Sequence, residues 1–321
     1  MAGSNTVMAE STHNKQWMSE HYRDHLLVGK IWSSREKAFV SEENLLASLK
    51  NARFVLLGET HPNRDHHLLQ ARFLEEVAKA SKGRAAPRSR VVVEMIPERF
   101  GPRLRAVDTS HPVKTAKLGE ILEWQKRGWG KWEHYRPIFD TAYASGLEIV
   151  PGNLDRDATK KIGRQGLAAV DDKQKRKLFL DVTYTKAQSG MLTDMLFESH
   201  CKMVPKTALA PMQLVQQARD GIMAGQMLGA PANSVAVLIA GSGHVRNDWA
   251  VPRILRAKAP DNGIVTVSFV EVAPDQDKPQ DYEPPSADKS PVFDFLYFTP
   301  KSEIKDHCAE LIKQFKKRKS K

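Results

Sequence analysis

An α/β protein with a mainly parallel sheet flanked by helices, and a helical insertion between the third and fourth core strands, is the fold class the sequence predicts. Three observations carry it. Short runs rich in Val, Ile and Leu recur along the chain, they are apolar throughout, and stretches of helical periodicity separate them. A strand without polar alternation is buried on both faces, which is the situation of parallel strands covered by crossover helices.

The first strand is RFVLLG, residues 53–58. It is followed by DHHLLQARFLEEVAKA, where Leu69, Phe73 and Val77 recur at helical spacing. The second is RVVVEM, residues 90–95, and the stretch HYRPIFDTAYASG after it reads as a helix closed by Gly146. LEIVPGN (147–153), SVAVLIAG (234–241) and IVTVSFVEV (264–272) complete the core, and VFDFLYFTP adds a short edge strand. Residues 154–233 break this rhythm with repeated helical patterns and no strand, so they are read as an insertion between the third and fourth strands. A single domain spans 26–310, with an N-terminal extension at 1–25 and a basic tail at 311–321.

Composition narrows the function classes. The formal net charge is +11, but much of the excess sits in KQFKKRKSK at the C-terminus and in DDKQKRK at 171–177, which read as a tail and a solvated face. No nucleic-acid motif accompanies them, so no nucleic-acid partner is expected. No apolar run reaches the roughly 20 residues of a membrane span. The polar N-terminus carries no secretory signal or lipobox, so the chain as written is expected in the cytoplasm, or in the periplasm or at a membrane if the N-terminus is processed. Cys201 and Cys308 are far apart and form no CxxC pair, so neither a disulfide framework nor a zinc-thiolate site is expected.

The polar residues at the strand ends carry the functional signal. The first strand runs into Gly58, Glu59 and His61; the second ends at Glu94, the third at Asn153, and the fourth runs into GSGH and His244. Parallel strands place their carboxyl ends along one edge, where open α/β folds bind ligands. The tetrapeptides GETH and GSGH put a glycine where the backbone must turn sharply and a histidine over the sheet edge. Asn63 or Asp65 caps the next helix and places His66 and His67 in its first turn, His66 on the face of Leu69, Gln70 and Phe73.

The motifs VLLGETHPNRDHHLLQARFL, VVVEMIPE, YRPIFDTAYASGLEIVPGNLDRD and VAVLIAGSGHVRNDWAVPRIL together resemble the ChaN family of haem-binding proteins, in a superfamily with the Tiki metalloproteases and erythromycin-esterase-like hydrolases. The likeness covers about residues 26–271. It implies that Gly58 with His61, Gly241 with His244, Glu94 and Asn153 form the family site. It also implies haem held by tyrosine and histidine ligands at the interface of a homodimer. The lipobox of the family's lipoproteins is not found here.

Two chemistries follow. Haem binding needs an axial donor beside an apolar slot. Tyr184 and His200 in the insertion are the candidate donors, among Met191, Met195, Cys201 and Met203, with His66, Gly58, Asn153 and Gly241 as further cofactor contacts. The alternative is hydrolysis at the strand ends. His61, Glu94 and His244, with Glu59 in reserve, would hold a divalent Zn, Mn or Fe, or would work without metal, a histidine as general base activating water and a carboxylate holding its tautomer, while Arg64 and Arg246 stabilise an anionic intermediate. No serine or cysteine occupies a recognisable nucleophile elbow.

Overall fold

The computed structural model describes residues 17–81, 88–107, 115 and 117–319, with side chains up to residue 313. The first sixteen residues of the expected N-terminal extension, and most side chains of the basic tail, lie outside them. One eight-stranded sheet runs through the molecule. Its strands are β1 (Ile31–Ser33), β2 (Ala38–Val40), β3 (Phe54–Glu59), β4 (Arg90–Pro97), β5 (Glu148–Asn153), β6 (Ala236–Gly241), β7 (Ile264–Glu271) and β8 (Phe295–Thr299), in spatial order β2-β1-β8-β7-β3-β6-β4-β5. From β8 to β5 neighbouring strands are parallel, and β1 joins β8 and β2 antiparallel.

The predicted core strands all form. VFDFLYFTP supplies β8, which is not an edge strand, because β1 pairs along its outer side. The β1–β2 hairpin has only three residues per strand, too few for a periodic signal.

Alternation decides which side chains go to which face. Val55, Leu57, Val91, Val93, Val237 and Ile239 point into the larger core, together with Leu45 and Leu49 of helix α1 (Glu42–Asn51), Phe73 and Val77 of helix α2 (Arg64–Ser81), and Ile138 and Phe139 of the helix Trp132–Ala144. Phe54, Leu56, Val92, Leu238 and Ala240 point the other way, against Met223 and Met227 of the helix Ala210–Leu228 and Ile254 and Leu255 of the helix Val251–Lys258. The insertion is helical as expected. Its last helix, Ala210–Leu228, lies directly on the sheet, and smaller apolar clusters hold its other helices together.

Asn63 is the cap of α2: its Oδ1 accepts from the amides of Asp65 and His66 at 2.9 and 3.3 Å. Asp65 binds the N-terminal segment instead, accepting from the amides of Met18 and Ser19 at 2.7 and 2.8 Å. Cys201 and Cys308 form a disulfide between the end of the helix Lys186–Ser199 and the C-terminal helix His307–Lys319. This corrects the expectation drawn from spacing. Partners separated by 107 residues leave no local pattern.

Candidate functional site

The strand order makes the site. β3, β6 and β4 are adjacent, with β6 in the middle, so the ends bearing Glu59 and His61, His244, and Glu94 meet over three neighbouring strands. Their side chains form a row in which acids and imidazoles alternate. Asp220 Oδ1 lies 2.6 Å from His244 Nδ1, and His244 Nε2 lies 3.5 Å from Glu94 Oε1. The other Glu94 oxygen lies 3.7 Å from His61 Nε2, and His61 Nδ1 lies 2.8 Å from Glu59 Oε1. Glu59 Oε2 lies 3.2 Å from His67 Nε2, which ends the row.

Backbone groups fix it in place. The Gly241 amide donates to Glu94 Oε2 at 2.8 Å, and Tyr135 Oη donates to the His61 carbonyl at 2.6 Å while its ring stacks on His67. Asn153 Nδ2 donates to the Glu94 carbonyl and its Oδ1 accepts from the Leu154 amide. Both ends of that side chain thus bond to backbone, so Asn153 braces the β4 and β5 ends.

Burial alone would neutralise such carboxylates, and the imidazoles prevent it. Burial raises Glu59, but His67 and His61 outweigh it and hold the carboxyl at about 2. Glu94 likewise falls well below the carboxylate range: burial opposes ionisation, and His244, His61 and the Gly241 amide overcome it. Burial lowers His61 and His244, but Glu94 and Glu59 raise the first, and Glu94 and Asp220 raise the second to about 10. Burial also pushes the Asp220 carboxyl up against the pull of His244. We assign the shared proton to the imidazole, because ionised Glu94 faces its other nitrogen.

The remaining predicted residues separate clearly. His66 is fully buried: its Nδ1 accepts from the Thr60 amide at 2.9 Å and its Nε2 meets Thr299 Oγ1 at 2.8 Å. Burial holds it down to about 3, so it is a neutral structural histidine with no nitrogen left for a cofactor. Gly58 packs on Val245 and Ser242, a contact between β3 and the turn after β6. Arg246 is locked by two hydrogen bonds to Asp248, donates to the Pro285 carbonyl and covers the Trp249 ring, so no donor role toward an intermediate is assigned to it. Arg64 retains a buried Nε without a hydrogen-bond partner among the described residues. His200 lies at the end of the helix Lys186–Ser199, with Nδ1 2.7 Å from the Leu196 carbonyl.

No group of three or more His, Cys, Asp or Glu among the described residues is arranged to hold a metal ion. The physical reason is visible at His61, Glu94 and His244. The Glu94 carboxylate stands between the imidazoles with one oxygen toward each, so the three side chains pair with one another and do not converge on a common centre.

Gly241 packs directly on the row. A Cβ there would lie 2.9 Å from His61 Nε2 and 3.6 Å from Glu94 Oε2. Gly241→Ala is therefore expected to displace the His61 ring and cost about 1–3 kcal/mol of stability. Shifted imidazole resonances of His61 with an unchanged far-ultraviolet circular dichroism spectrum would show this.

The family model for haem-binding uptake proteins of the ChaN type, Tiki superfamily, matches residues 45–255, a span that includes all three site strands. The chain belongs to the ChaN family. Among solved structures it shares its fold with ChaN of Campylobacter jejuni, which binds haem cofacially, with a TM-score of 0.61 and 20% identity over 83% of this chain and 95% of that one. The erythromycin esterase EreC, a mutant in its open conformation, aligns at a TM-score of 0.41 and 13% identity over 82% of this chain and 80% of that one. No curated protein matches the chain. Relative to this ChaN core, His67, Asp220 and Tyr135 are the site residues that spacing did not reveal. A lone acid in the small-residue run QARDGIMAG was the one signal for Asp220.

Proposed function

We propose that this ChaN-family chain binds haem and serves in haem or iron handling. The observation that carries the reading is the family match over residues 45–255. Tyr184 fits the role of axial donor: its Oη is buried without a hydrogen-bond partner among the described residues, and Met191, Met195 and Phe197 belong to the same apolar cluster. The Arg253 guanidinium lies over its ring at 4.3 Å, a cation beside an oxygen that would lose its proton on binding ferric iron. Bound haem supplies an iron centre, while these residues supply the donor oxygen, the apolar wall and a compensating charge. A homodimer sharing the ligand belongs to this proposal, as does an oxidising compartment, where a disulfide such as Cys201–Cys308 persists.

Haemin titration with absorbance read in the Soret band tests it. A saturable shift is expected in the parent protein, weakened at least tenfold in Tyr184→Phe. Undiminished affinity in Tyr184→Phe and in His200→Ala would remove both donors from the proposal. Light scattering with and without haemin reads the dimer.

The acid–imidazole row favours a second reading, histidine-based hydrolysis without metal. His61 is the member that reaches the surface, its side chain 35% exposed, and Glu59 orients it through Nδ1. Because its pKa is raised, His61 enters as a proton donor to a leaving group, and ionised Glu94 beside it accepts the proton of water. Ester cleavage abolished in His61→Ala and retained in Tyr184→Phe would separate this activity from haem binding.

A further inference from the structure

The six groups of the row differ sharply in access. The side chains of Glu59 and His67 are fully buried, those of Glu94 and Asp220 are 3% and 4% exposed, and that of His244 is 8% exposed, against 35% for His61. His61 is the most exposed member of the row.

Trp129 stands at that point. Its ring meets the His61 ring edge to face, with centroids 4.9 Å apart. The residue is half-buried, packed on the rim of the larger core, and sits in the short link between Trp124–Lys126 and the helix Trp132–Ala144. Glycines flank it on both sides. Gly128 and Gly130 have φ of +80° and +81°, in the left-handed region that glycine enters without cost, and no atom comes within 4 Å of where a Cβ would stand on either. The indole thus meets His61 on one side and the rim of the core on the other, and is carried between two glycines whose Cβ positions face open space. The following helix ties this link to the row through Tyr135.

We propose that Trp129 is the cover of the site mouth over His61 and that its indole is the stacking surface for a planar conjugated ligand entering there. The ligand class rests on the haem reading above; the covering role does not. An aromatic face in a glycine-flanked link suits a flat π-system, since offset stacking rewards area and tolerates sliding. An indole turned away from His61 opens the row and presents that face in one motion.

Two measurements on the full chain test the proposal. The first is the rate at which diethyl pyrocarbonate modifies His61, resolved by peptide mass mapping, in the parent, Trp129→Phe and Trp129→Ala proteins. The expected result is faster modification of His61 in Trp129→Ala, by several-fold, with Trp129→Phe close to the parent. An unchanged rate in Trp129→Ala overturns the cover. The second is haemin affinity in the same three proteins. A loss of roughly tenfold in Trp129→Ala, restored in Trp129→Phe, is expected from stacking worth about 1.4 kcal/mol. Equal affinity in all three overturns the stacking surface. If the parent takes up no haemin, the haem reading and the ligand assignment fall together, while the first measurement still decides the cover.

Discussion

Glu94→Gln is expected to lower the unfolding free energy by about 3–5 kcal/mol, the cost of leaving buried charges without their partner. Glu94 is the hinge of the row, facing His244 with one oxygen and His61 with the other. Glutamine keeps the volume and removes the charge, so the loss measures electrostatics and not a cavity. Urea denaturation of the parent, E94Q, H244Q and the double variant provides the check, and the double variant should lose less than the sum of the two singles.

The same row sets a pH dependence. Glu59 and Glu94 have depressed folded-state pKa values, so their contribution is present above the ordinary carboxylate pKa of about 4.5 and is lost as pH falls toward about 2. His244 is raised, so its contribution is complete below about 6.5 and is lost as pH rises through about 10. These three groups contribute most between about pH 4.5 and 6.5, while His66, buried neutral and held down to about 3, subtracts from stability as pH falls below about 6.5, so stability is expected to be greatest toward the upper end of that window and to decline on both sides. The alkaline decline should be shallower in H244Q, and an unchanged alkaline limb in that variant would contradict the assignment of the proton to His244.

Removing the Cys201–Cys308 link, by reduction or by C201S with C308S, is expected to cost about 2–4 kcal/mol, in the range of a cross-link that restricts a long loop of the unfolded chain. The closed segment, with partners 107 residues apart, contains β6, β7 and β8, so the link restrains the chain that builds three of the eight strands. Denaturant midpoints with and without reductant measure it. Coincident midpoints, with two free thiols counted only in the reduced sample, would show that the link does not stabilise the native state.

Much of this architecture was legible because burial on two faces demands apolar strands, and apolar strands stand out. Glu59, His61, Glu94 and His244 were legible for the opposite reason, as polar groups at the ends of such runs. His66 and His67 were not distinguished correctly. Their orientation depends on Asn63 capping α2, which folds the His66 ring back onto the Thr60 amide and turns His67 toward Glu59. Asp220 was missed because its partner lies across the fold, and the contact exists only once the helix Ala210–Leu228 lies on the sheet. Arg246 looked available because Asp248, two residues away, reads equally well as a solvated acid.

The position of β6 has a consequence for how the protein is made. β3 and β4 emerge from the ribosome early, yet the slot between them is filled by a strand near residue 240. Until then the nascent chain has two long apolar strands whose shared neighbour is missing, and Glu59 and Glu94 face no His244. Synthesis therefore passes through a prolonged interval of exposed strand edges, the condition under which chains recruit chaperones or aggregate. A chain stopped before residue 236 should be insoluble, and the cell should commit to a finished site only late in translation.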